Sequence, residues 1–96
     1  MATPESRIKK KVKDILKHMG CYYAMTVTGG FGNSGTPDIL MCHKGKFYGI
    51  ECKAGKNTTT LLQEQHLDSI RKSGGVALVI NEANVDDLQR LIELAS

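Results

Sequence analysis

Ile8, Val12, Ile15 or Leu16, and Met19 recur at helical spacing and predict a helix over 5–19. Thr3 or Ser6 is placed to cap it, Pro4 suits an early first turn, and Gly20 suits the stop. The pattern then changes. Cys21-Tyr-Tyr-Ala-Met-Thr-Val-Thr28 has the composition of a strand, and two short apolar runs follow, Asp38-Ile-Leu-Met41 and Phe47-Tyr-Gly-Ile50. The turn residues His43-Lys-Gly-Lys46 between those runs imply antiparallel pairing. A polar loop, Gly55 to Thr60, leads to a second helix over 61–73 in which Thr60 and Gln63 stand at capping-box spacing. Val76-Ala-Leu-Val-Ile80 is almost unbroken in its apolarity, as a central strand covered on both faces would be. A helix between strand 47–53 and this one makes a right-handed crossover, hence a parallel pair. Val85, Leu88, Leu91, Ile92 and Ala95 give a last amphipathic helix over 84–95. The expected fold is α/β, a central mixed β-sheet flanked by helices in the order α-β-β-β-α-β-α.

Charge sits where such strands normally have none. Asp38 opens the first apolar run behind Pro37, which has no N–H for a ladder and so belongs at a strand's first position. Glu51 and Lys53 end the second run two residues apart, so their side chains leave the same face of an extended chain. If the strands are neighbours, Asp38 and Glu51 approach at one end of the sheet, where two carboxylates repel unless a cation lies between them. A divalent metal between them, with the Lys53 ammonium alongside, is the equipment for hydrolysing a phosphodiester. The plainer alternative is a solvated Glu-x-Lys sheet edge and a turn aspartate, and spacing alone does not decide between the two.

Gly35-Thr-Pro-Asp-Ile-Leu40, Gly49-Ile-Glu-Cys-Lys53, Thr60-Leu-Leu-Gln63 and Gly74-Gly-Val-Ala-Leu-Val-Ile80 together resemble the virus-type replication-repair nuclease (VRR-NUC) domain. That domain belongs to the restriction-endonuclease-like PD-(D/E)xK superfamily. The resemblance runs from about Glu5 to Ile80. It implies a restriction-endonuclease-like fold and a metal-dependent DNA endonuclease, with Asp38, Glu51, Lys53 and Gln63 on the motif positions and Glu5 on that of an N-terminal helix glutamate. It implies Mg²⁺ or Mn²⁺ held by Asp38, Glu51 and the backbone carbonyl of Cys52. Cys52 departs from the usual hydrophobic residue, with its side chain expected in the core. Standalone relatives resemble junction-resolving or structure-selective enzymes that act as homodimers, so branched or otherwise structured DNA (Holliday-junction or flap-like) is the implied substrate. So compact a chain resembles phage versions of the domain. Glu5 also has a local reading, a favourable charge at the positive end of the first helix, and Gln63 has one in the capping box.

The chain's 96 residues fit one domain over 1–96, and 41% hydrophobic content is ordinary for a globular chain. Five aromatic rings and no Trp make a lean core, for which burial in a dimer is a natural supplement. The net charge of +3 hides an asymmetry: residues 1–56 carry ten Lys or Arg against four acids, and 57–96 three against six. The basic half also carries Asp38 and Glu51, which suits a polyanion whose phosphate must reach them. Arg7, Lys9, Lys10, Lys11 and Lys13 on the first helix, and Lys56 after Lys53, are the candidate phosphate contacts. No aromatics interleave them to stack on bases. The glycine run from Gly29 to Gly35 lacks a Gly-Lys-Ser/Thr ending, which rejects a nucleotide-binding loop and a nucleotide cofactor. Phe31 in that run reads as a hydrophobic lid. His18, His43 and His66 have no acid-base partner pattern, and His43 is expected to be exposed. Cys21, Cys42 and Cys52 read as buried free thiols of a reducing compartment rather than a zinc site. With no membrane-length apolar run and no secretory leader, a cytoplasmic, non-secreted location is expected. Two rival readings stand: a DNA-binding module that kept a nuclease fold without catalysis, and a protein-assembly subunit with no salt-sensitive affinity for DNA.

Overall fold

In the computed structural model, which describes residues 3–27 and 35–96, the first helix, α1, spans Pro4–Met19. Thr3 caps it, its hydroxyl accepting from the Ser6 N–H at 3.0 Å, and Gly20 ends it in the left-handed conformation at φ 75°. Its buried stripe is Ile8, Val12 and Leu16. Four strands follow: β1 (Tyr22–Met25), β2 (Ile39–His43), β3 (Lys46–Cys52) and, after helix α2 (Leu61–Lys72), β4 (Val76–Ile80). Lys44 and Gly45 both have positive φ, 51° and 79°, so a two-residue turn with the twist of the flanking strands closes the β2–β3 hairpin. The sheet order is β1-β2-β3-β4, antiparallel in the first two pairs and parallel in the last. The glycine run up to Ser34 and Phe31 lie outside the described residues.

Strand alternation divides the labour of the sheet. Ile39, Met41, Tyr48, Ile50 and Cys52 point to one face, where they join Ile8, Val12 and Leu16 of α1 and Val85, Leu88 and Ile92 of the C-terminal segment in one core. The Tyr48 hydroxyl donates to the Ile92 carbonyl at 3.1 Å and Lys46 Nζ to that of Ala95 at 3.0 Å, tying the C-terminal segment to the first half of β3. Helix α2 lies against the other face, so close over β3 that a Cβ on Gly49 would stand 2.5 Å from Ile70 Cδ1. Gly35, at φ 86°, passes against the start of α2, and a Cβ there would meet the Leu62 backbone at 2.7 Å. Gly35→Ala combines a left-handed backbone with a backbone clash and should cost at least about 2 kcal/mol, read as a fall in the urea midpoint.

Several expectations change. Strand β4 is not central but the edge of the described sheet, and Val76, Leu78 and Val79 are only partly buried. Its apolar run reflects helices on both faces, not strands on both sides. Two of its carbonyls are met by side chains instead: Arg71 donates to Ala77 O at 3.2 Å and Asn84 Nδ2 to Val79 O at 2.9 Å. The last helix, α3, is Leu88–Ala95, preceded by a 3₁₀ turn at Val85–Asp87. Of the thiols only Cys52 is buried, and Cys42 is exposed. His43 is half-buried, its Nδ1 3.4 Å from Cys21 Sγ, because β2 carries it to the α1 face of the sheet.

Candidate active site

The β2–β3 register pairs Ile39 with Ile50, which sets Asp38 across from Glu51 at the next position along. Asp38 is 5% exposed and Glu51 2%, and they are the buried charged residues among those described. A buried charge needs partners, and each has some. Asp38 Oδ2 accepts the Cys52 N–H at 2.8 Å, and Lys9 Nζ lies 3.4 Å from Oδ1. Glu51 Oε2 accepts from Gln63 Nε2 at 3.0 Å, with Lys53 Nζ at 3.5 Å. Glu51 Oε1 is buried without a hydrogen-bond partner. Burial, then the facing Asp38 charge, raises the Glu51 carboxyl from 4.5 to about 7, against the pull of Lys53.

Gln63 both caps α2 and reaches Glu51. Its Oε1 accepts the Thr60 N–H at 2.9 Å while its own N–H donates to Thr60 Oγ1 at 3.2 Å, completing the capping box. That bond fixes the side chain so that the remaining amide nitrogen faces Glu51. The helix start of α2 and the end of β3 are thereby held together through one amide.

The donor set fits a hard divalent cation. Two facing carboxylates with a buried, unpartnered oxygen are the type of environment Mg²⁺ or Mn²⁺ takes, the rest of its shell being water and substrate oxygens. The N–H and C=O of an extended residue leave on the same side, so the Cys52 carbonyl faces the edge where its N–H meets Asp38. The Cys52 thiol points into the core, and burial with the nearby carboxylates pushes it up to about 12, so sulfur is no candidate ligand. Among the described residues no three His, Cys, Asp or Glu side chains come together to hold an ion. Glu5 therefore stays outside the carboxylate pair. It lines a neighbouring cleft of about 650 Å³ with Thr3, Ala54, Lys56, Asn57 and Glu82.

The basic residues divide in a way their spacing did not foretell. Arg7, Lys10 and Lys11 are exposed on α1, with Lys10 3.3 Å from Asp14. Glu5, Lys9 and Lys13 form a half-buried stripe at i, i+4 and i+8 on the flank nearest the site. Lys9, expected on DNA, is turned inward onto Asp38. The available signal was its place one helical turn after Glu5 on the same face. Lys56 is exposed and lines the cleft beside Glu5.

Comparison with protein-family models finds no match, and comparison with curated proteins finds none either. Solved structures do match. One described as a VRR_NUC domain superposes with a TM-score of 0.76 at 24% identity, covering 93% of this chain and 97% of the other. A VRR_NUC domain protein gives 0.73 at 18%, covering 97% and 88%. Hjc of Archaeoglobus fulgidus, a Holliday junction resolvase from an archaeal hyperthermophile, gives 0.60 at 18%, covering 80% and 69%. The chain has a VRR-NUC-domain-like α/β fold, a central mixed β-sheet flanked by helices.

Proposed function

We propose that this chain is a divalent-metal-dependent DNA endonuclease, and that it acts on branched or otherwise structured DNA as a homodimer. The observation that carries the reading is the buried Asp38–Glu51 pair with an unpartnered Glu51 oxygen, bordered by Lys9, Lys53 and Gln63. A buried carboxylate pair is costly to keep, and holding a cation gives it a use. Asp38, Glu51 and the Cys52 carbonyl would hold Mg²⁺ or Mn²⁺. The bound ion would supply an acidified water and positive charge for the transition state.

The remaining work falls to the chain's own groups. Lys53, on the face that carries Glu51, neutralises charge growing on a non-bridging phosphate oxygen or orients the attacking water. Gln63 is held by its capping bond, so its Nε2 orients Glu51 and the water beside it. Arg7, Lys10, Lys11, Lys13 and Lys56 supply phosphate contacts away from the reacting bond, which makes binding salt-dependent. The likeness of fold to a Holliday junction resolvase puts four-way junctions first among the substrates to compare.

The test is cleavage of a labelled four-way junction, a flap and plain duplex in Mn²⁺, Mg²⁺ or EDTA. Wild type should cut in either metal and stop in EDTA. Asp38→Ala should lose both cleavage and the metal-induced rise in melting temperature. Full turnover by that variant would overturn the site assignment. Tight DNA binding by wild type without cutting in any metal would leave a non-catalytic DNA-binding module.

A further inference from the structure

Both oxygens of Asp38 are engaged by the chain's own groups. Oδ2 holds the Cys52 N–H at 2.8 Å, a bond internal to the sheet that fixes the carboxylate against β3. Oδ1 is 3.4 Å from Lys9 Nζ, in an ion pair whose side chains are 26% and 7% exposed. Across the site Glu51 has its own cation in Lys53 at 3.5 Å, yet keeps Oε1 free. An ion entering between the carboxylates therefore finds an open oxygen on Glu51 and an ammonium on Asp38.

We infer that Lys9 is a resident counter-cation of Asp38 that a divalent ion must displace, so that metal binding at this site is an exchange of one cation for another. The inference rests on the metal-site reading above and assigns Lys9 a positioning role within it. An ammonium and a divalent cation on the same carboxylate oxygen repel, and the flexible lysine, anchored on α1 rather than on the sheet, is the partner able to withdraw. Its stem leaves α1 at the half-buried stripe, so withdrawal needs only a change of side-chain rotamer. The exchange has two effects. Without metal, Lys9 offsets the repulsion between Asp38 and Glu51 and keeps the two strands paired at that end. With metal, the displaced ammonium stands at the mouth of the site, where an incoming phosphate would meet it. Lys9 thus lowers the affinity for metal while protecting the metal-free fold.

Metal titration calorimetry and thermal melts with Mn²⁺ test this on wild type, Lys9→Gln and Lys17→Gln. Lys17 is exposed on the same helix, so its variant removes the same charge away from the site. Lys9→Gln should bind Mn²⁺ about fivefold more tightly than wild type, and Lys17→Gln should match wild type at about 0.15 M salt, where distant charges are screened. Lys9→Gln should also melt lower than wild type without metal and converge on it at saturating Mn²⁺. A merely structural role would lower both melts equally, and that result, or equal Mn²⁺ affinity in Lys9→Gln and wild type, would overturn the exchange while leaving the metal site standing. Failure of all three proteins to bind Mn²⁺ would overturn the exchange and the metal site together.

Discussion

Lys53→Ala should lower cleavage by at least about 10³-fold while leaving Mn²⁺ binding intact. Lys53 Nζ is 3.5 Å from Glu51 Oε2 and its side chain is 12% exposed, so it reaches the reacting region from within the protein rather than from solvent. Its positive charge would oppose an ion between the carboxylates, so its removal should leave metal affinity equal or higher. The separation of the two readouts is the informative result. Calorimetry should show a wild-type or tighter Mn²⁺ isotherm, and a gel assay on the preferred DNA should show almost no product. Loss of Mn²⁺ binding along with cleavage would make Lys53 a structural support for Glu51 instead. Retention of cleavage would remove it from the reaction.

Glu51→Gln should make the metal-free protein more stable at pH 8 and inactive at any pH. The sign follows from protons. In the open chain a glutamate titrates near 4.5, and in the fold Glu51 titrates near about 7, so between those values the folded chain holds the proton more firmly. A raised acid stabilises the fold below about pH 4.5, and that contribution drains away as pH rises through about 7, by up to about 3 kcal/mol. Glutamine has the same shape and no charge, so its stability should stay flat through that interval. The two unfolding curves should therefore separate above about pH 5, with the variant the more stable. Mn²⁺ should reverse their order only near about 1,000 times its dissociation constant, where a ligand adds about 4.1 kcal/mol to a protein that binds it, and only wild type would gain it in full. Parallel pH profiles for the two metal-free proteins would show that Glu51 is no strained carboxylate.

Much of this site could be read along the chain because its parts are local. Pro37 places Asp38 at the mouth of β2, the two-residue spacing of Glu51 and Lys53 puts them on one face, and Thr60 with Gln63 announces the start of α2. The approach of Asp38 to Glu51 could be read only on the condition that the strands are neighbours, and the two-residue turn at Lys44 and Gly45 sets the register that meets it. What escaped depends on contacts between distant segments. Lys9 is 29 residues from Asp38, and its place one turn after Glu5 on the half-buried flank of α1 hints at an inward turn without naming Asp38 as the partner. Cys21 and His43 meet through the pairing of β1 with β2, and the half-buried Cys21 thiol is raised by that burial. The position of β4 escaped for another reason. Hydrophobicity reports what covers the faces of a strand and is silent about its edges.

That edge has a further consequence. A strand Val76-Ala-Leu-Val-Ile80 whose outer edge has no strand partner in the described sheet is the kind of template on which a second chain could add by backbone pairing, and it carries neither a proline nor a lysine to discourage this. Alternate residues of β4 face β3, as the bond from the Lys53 N–H to the Ile80 carbonyl shows, so the carbonyls of Ala77 and Val79 face outward. Those are the two that Arg71 and Asn84 occupy. A strand arriving from another molecule would have to evict a guanidinium and an amide before gaining its first acceptors. Arg71 and Asn84 thus act as gatekeepers against edge-to-edge aggregation, and they steer any productive pairing of two copies toward surfaces other than this edge.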